Sequence, residues 1–136
     1  MAASEMCTVA RCLFALFMSL TLIACSATVP SEKVYGTYVA SYPFGTETLT
    51  LNRDGTFVQQ VHMKNEQPVT ARGSWTFYPK AKSRVDLDGF MAVLDEFDHL
   101  RSDWQKVAPG FASMDVETRS FRIVIGSAGK FPYVKQ

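Results

Sequence analysis

From Tyr35 to the C-terminus the chain alternates apolar and polar positions with a period of two, the signature of half-buried strands. Val34–Ala40 reads as a first strand, and Tyr42-Pro43-Phe44-Gly45 as the turn after it. Within 46–52, Leu49 and Leu51 take one face and Thr48 and Thr50 the other. Asn52-Arg53-Asp54-Gly55 then supplies turn chemistry, with glycine where φ becomes positive; a type I turn closed by a glycine bulge is expected. Residues 55–61 form the return strand. After a turn at Glu66-Gln67-Pro68, Val69, Ala71, Gly73, Trp75 and Phe77 share one face of a long strand, and Gly73 marks a bulge or a close neighbour. Val85-Asp86-Leu87 continues the alternation. Near the C-terminus Phe121, Ile123 and Ile125 share a face, Ser127–Lys130 turns the chain, and "FPYVK" runs back. Pro132 cannot donate a ladder hydrogen bond, which places that last strand at an edge or a bulge.

The alternation breaks over 90–104. Phe90, Leu94, Phe97, Leu100 and Trp104 fall at helical spacing with Asp88 as a candidate N-cap. A short amphipathic helix and an irregular loop are both compatible with this stretch. "VAPGFASMD" after it reads as loop. Short strands at close spacing, joined by hairpin turns, imply a mainly antiparallel all-β fold, a small meander barrel or sandwich.

The N-terminus follows different rules. Leu13–Ala24 is an apolar run of 12 residues behind Arg11. A spanning helix needs roughly 20, so the run suits the core of an export signal. It ends in Leu22-Ile23-Ala24-Cys25, which resembles the lipobox of bacterial lipoproteins at all four positions. The resemblance implies cleavage before Cys25 and acylation of its thiol. Residues 1–24 would then be a signal peptide, 25–33 a lipidated tether and 34–136 the domain. Ser26 after the cysteine implies transfer to the outer membrane, facing the periplasm. Other readings of the run are ordinary cleavage after Ala27 and an uncleaved anchor. Cys7 and Cys12 would leave with the signal, so the domain would have no disulfide and would depend on its core.

The succession "GTY … TLTLNRDGTF … GSWTF … RVDL" is similar to the strand grammar of lipocalin-like small barrels. That similarity implies fold class; eight strands of lipocalin length would need more chain than is left.

Composition narrows function mainly by exclusion. A formal net charge of +1 gives no electrostatic case for nucleic acid or an anionic surface. Lys80, Lys82 and Arg84, the densest cationic group, read as a solvated strand or turn. Neither a phosphate loop nor a nucleophile elbow is present, and no cofactor is implied. Of the two histidines, His62 lies on a strand and His99 sits in "DEFDHL". Asp95, Asp98 and His99 are weak metal candidates, read more simply as the wet side of the segment. The aromatics at predicted connections, Tyr42, Pro43 beside them, Phe44, Phe97 and Trp104, are candidates for a partner surface. The expectation is a lipid-anchored, non-catalytic binding or accessory module with an envelope protein partner. The alternatives are a carrier of a small apolar ligand and a hydrolase with a site near His99.

Overall fold

A computed structural model describes Thr28–Gln136 except Ala81. The fold is a closed antiparallel barrel of eight strands in simple meander order. They are β1 (Gly36–Tyr42), β2 (Gly45–Leu51), β3 (Thr56–Met63), β4 (Val69–Tyr78), β5 (Arg84–Phe90), β6 (Gly110–Arg119), β7 (Arg122–Ile125) and β8 (Tyr133–Lys135). β8 pairs with β1 through Tyr38↔Lys135 and Val39↔Val134 and closes the cylinder. No helix among the described residues is long and apolar enough to cross a membrane.

Register follows the alternation. Tyr38, Leu49, Gln59 and Ala71 lie opposite one another across four strands, as do Gly36, Leu51, Phe57 and Gly73. Residues opposite each other in a ladder share a face, so these rows point inward together. The interior is filled by Tyr38, Phe57, Leu49, Leu51, Leu87 and Ile125, all below 2% exposure.

The meander gives the barrel two ends. At the base lie the N-terminal segment and the β2–β3, β4–β5 and β6–β7 turns. At the mouth lie the β1–β2, β3–β4 and β7–β8 turns and the long connection 91–109. The base is plugged: Val29 and Val34 are buried, and the Tyr38 hydroxyl donates to the Val34 carbonyl. Lys135 Nζ donates to the Tyr35 carbonyl at 2.7 Å. Core packing therefore reaches back to Val29, inside the stretch 25–33 read as a tether. The lipobox and Cys25 lie outside the described residues.

The β2–β3 turn forms as its residues require. Gly55 has φ +84°, its N–H reaches the Asn52 carbonyl at 3.2 Å, and Asp54 Oδ1 accepts from the Thr56 N–H at 3.0 Å. Two expectations are corrected, and the alternative left open over 90–104 is settled. Residues 90–104 contain no α-helix. Phe90 belongs to β5, Leu94 and Leu100 form an isolated bridge, and Asp95 Oδ1 accepts from the N–H groups of Phe97 and His99. Aspartate side chains compete with the helix for backbone donors, and here they win. Gly110–Asp115, expected as loop, opens β6, because pairing with β5 overrides the weak strand propensity of its small residues. Pro132 precedes β8, and β8 is no edge strand because the barrel closes on it. Eight strands fit the chain because β7 and β8 are short.

Phe121 is the remaining departure. Only Ile123 and Ile125 of its expected face point inward. Ser120 and Phe121, at φ +50° and +65°, form the two-residue turn between Arg119 and Arg122, and Phe121 is fully exposed. Left-handed backbone costs a non-glycine residue about 1 kcal/mol.

Gly73 sits where β4 meets the β5 bulge around Gly89 (φ +95°). A Cβ on Gly73 would lie 1.9 Å from the Asp88 carbonyl oxygen and 2.8 Å from the Phe57 ring. Backbone cannot yield as a side-chain tip can. Gly73→Ala is therefore expected to destabilise the fold by about 3 kcal/mol, measured by urea denaturation followed by circular dichroism.

Candidate functional site

The connection 91–109 runs over part of the mouth as a strap. Met91, Val93 and Trp104 of the strap pack on Val61, Met63 and Ala71 from the inner faces of β3 and β4. Between the strap and the β7–β8 turn a pocket of about 280 Å³ stays open. Phe90, Val93, Leu94, Met114 and Phe131 supply its apolar wall, Glu47 and Tyr133 line it from within the barrel, and Asp98 and Asp115 also line it.

Glu47 is 1% exposed. A carboxyl group removed from water must be hydrogen-bonded, and this one has three donors from three strands. The Tyr42 hydroxyl donates to Oε2 at 2.7 Å. The Tyr133 hydroxyl and the Gln59 amide donate to Oε1. These bonds favour the ionised form, but burial outweighs them and raises the Glu47 pKa above its ordinary value. Burial also raises Tyr42 and Tyr133, and the neighbouring Glu47 charge adds to both shifts. The hydroxyls therefore stay protonated.

Gln59 joins this group to the strap. Its Nε2 also donates to the Met91 carbonyl at 2.7 Å, and its Oε1 accepts from the Met91 N–H at 2.8 Å. The two Met91 bonds fix which end of the amide is nitrogen, so the amide must aim an N–H at Glu47.

An aromatic group stands beside the pocket. Tyr42 stacks on Phe44 with ring centroids 5.2 Å apart, and Phe131 meets Tyr42 edge-on at 5.2 Å. Thus Tyr42 and Phe44 do come together, half-buried, with Pro43 exposed between them. Phe97 is exposed at the tip of the strap. Trp104 is buried instead, 3% exposed, and its Nε1 donates to Glu66 at 3.1 Å. It anchors the strap.

The weak metal candidates separate. Asp95 pairs with His99 Nδ1 at 3.5 Å, while Asp98 turns to accept from the Lys130 N–H at 3.4 Å. Among the described residues no three acidic, histidine or cysteine side chains are placed to hold a metal. His62 is exposed on the outside of β3, and neither histidine lines the pocket.

The sequence reading missed Glu47, Gln59, Phe131 and Tyr133. A signal for two of them was present. Glu47 is in phase with Leu49 and Leu51, and Gln59 with Phe57 and Val61, so each is a polar residue on an apolar face.

Chemically, the pocket offers carboxylate oxygens at the inner end of an apolar wall. That arrangement suits a hydrogen-bond donor or a cation carried on an apolar shank. Comparisons of the chain with models of protein families, with curated proteins and with solved structures gave no match.

Two outcomes follow. Gln59→Leu keeps the volume but leaves the Met91 N–H and carbonyl unpaired; the expected loss is on the order of 3 kcal/mol, with faster amide exchange over 91–109 read by hydrogen–deuterium exchange. For Glu47 the folded pKa is raised. The folded chain then holds its proton more tightly than the unfolded one, so this contribution is complete below the ordinary value of 4.5 and is lost as pH rises through the folded value. Denaturation midpoints measured upward from pH 4.5 should decline, and Glu47→Gln should flatten that decline.

Proposed function

We propose that this protein is a lipid-anchored binding module of the bacterial envelope, held at the periplasmic face of the outer membrane through Cys25. The mouth of the barrel receives a protein partner. The observation that carries this reading is the pocket at the mouth, at the opposite end of the barrel from the N-terminal segment. An anchor at the base leaves the mouth directed away from the bilayer.

The partner contributes a basic side chain to the pocket, its aliphatic stem against Phe90, Leu94 and Phe131 and its charge toward Glu47, Asp98 and Asp115. Exposed Phe97 and half-buried Phe44 extend the contact around it. The barrel interior below the pocket is packed with large side chains, which favours a surface partner over a carrier with a deep cavity. The apolar wall favours the carrier as the second reading, with a small amphipathic ligand in the same pocket. No catalytic role is proposed for His99, which stands exposed beside Asp95.

Mass spectrometry of protein extracted from bacterial membranes in mild detergent tests the anchor. The expected chain begins at Cys25 and carries two or three acyl groups, and Cys25→Ser loses both the lipid and the membrane association. A lipid-free chain beginning at Thr28 overturns the anchor. A polypeptide that co-purifies with the wild type and is lost with Phe97→Asp supports the partner. A small-molecule adduct in its place supports the carrier.

A further inference from the structure

We propose that the base of the barrel is a membrane-contacting face, and that Phe121, flanked by Arg119 and Arg122, inserts into the headgroup region of an anionic phospholipid bilayer. The proposal rests on the lipid-anchor reading and adds a second point of attachment to it.

Phe121 gains nothing from the fold. It is fully exposed at the tip of the β6–β7 turn, in left-handed backbone that glycine or asparagine would adopt more readily. A large apolar side chain at such a tip is free to be buried against a partner, and the groups around it decide which one.

Its position says which partner. β7, like β1, starts at the base, so the Phe121 turn shares that end with the N-terminal segment. Cys25 is three residues before Thr28. Three residues span at most about 10 Å, however they are arranged. A lipid on Cys25 therefore holds the base within about a Debye length of the headgroups.

Charge points the same way. The base turns and the strand ends beside them carry Arg53, Lys80, Lys82, Arg84, Arg119 and Arg122. The acids near them are Glu32, Asp54, Asp86, which pairs with Arg84, and Glu117, which pairs with Arg119. At the mouth the turns and strap carry Glu66, Asp95, Glu96, Asp98 and Asp103 against Lys64, Arg101, Lys106 and Lys130. A net charge near zero is thus divided unevenly, with the cationic excess at the base. Tyr78, 40% exposed at the base end of β4 with the Arg84 guanidinium 4.4 Å from its ring centroid, adds an amphipathic side chain of the kind that settles at a bilayer interface. Cations around one apolar tip fit anionic headgroups over acyl chains.

The test uses full-length protein produced in a bacterial host, purified from its membranes and reconstituted into vesicles of phosphatidylcholine with or without phosphatidylglycerol. Phe121→Trp places an indole at the tip, and its emission is taken as the difference from the unsubstituted protein. The expected result is a blue shift and loss of emission on adding dibrominated lipid. Both should be larger with phosphatidylglycerol and reduced by Arg119→Glu with Arg122→Glu. Flotation of the same samples reports anchoring separately. Protein that floats while the indole stays unshifted and unquenched overturns this proposal and leaves the anchor standing. Protein that neither floats nor is quenched overturns both. A photo-crosslinker at position 121 that captures a polypeptide instead of lipid also overturns the proposal.

Discussion

A carboxyl group inside a barrel must find donors for its oxygens, and the groups that supply them become fixed in turn. Glu47 of β2 takes hydroxyls from Tyr42 of β1 and Tyr133 of β8, and an amide N–H from Gln59 of β3. Gln59 has two remaining bonds, and both go to the backbone of Met91. One buried polar group thereby joins the first three strands, the last strand and the start of the strap. The β1–β8 closure has only two paired positions in its ladder, so a cross-barrel link beside it matters more than a single hydrogen bond elsewhere would. The same network lines the pocket, which makes the element that stabilises the mouth also the element that meets a ligand. A buried, satisfied network of this kind favours one arrangement of the strap over others, because any shift of Met91 would leave donors and acceptors unpaired in a dry interior.

The two ends of the cylinder have separate physical characters. The base is plugged by Val29 and Val34 and ringed by cationic turns around an exposed Phe121. The mouth is half covered by the strap and backed by the Tyr42–Phe44–Phe131 group. Since β7 and β1 start at the same end, the connectivity alone places the N-terminal segment and the pocket on opposite sides. In the proposed anchored arrangement the mouth would face outward without a long linker, and a second contact at Phe121 would limit rotation about the anchor.

Much of the strand pattern was legible because period-two alternation is local and follows directly from the pleat. β2, β3 and β4 carry strong β-formers, and the Asn52–Gly55 turn has side chains that can satisfy its own backbone. β6 was not legible at its start, because Gly110, Ala112 and Ser113 have no strand preference of their own and acquire it from pairing with β5. The helical spacing of Phe90, Leu94, Leu100 and Trp104 came from residues that all turn toward protein, but they do so from a strand end, a bridge and a short 3-10 turn. Periodicity reports which residues are inside, not always by what geometry they get there.

The site was less legible than the fold. Tyr42 and Phe44 were expected at a partner surface and do stand beside the pocket, while Trp104 turned inward to hold the strap to Glu66. Glu47 and Gln59 carried a signal, a polar residue in phase with apolar neighbours, that is ambiguous until something opposite is known to receive it. By itself the sequence determined the all-β class, the hairpin turns and the inward and outward face of most strands, because each depends on neighbours within a few residues. Only the tertiary structure decided that the sheet closes, that Tyr133 reaches Glu47 across 86 positions of chain, and that cationic charge scattered along the sequence gathers in excess at one end. Those depend on which distant segments share a wall, and no local pattern of side chains encodes that distance.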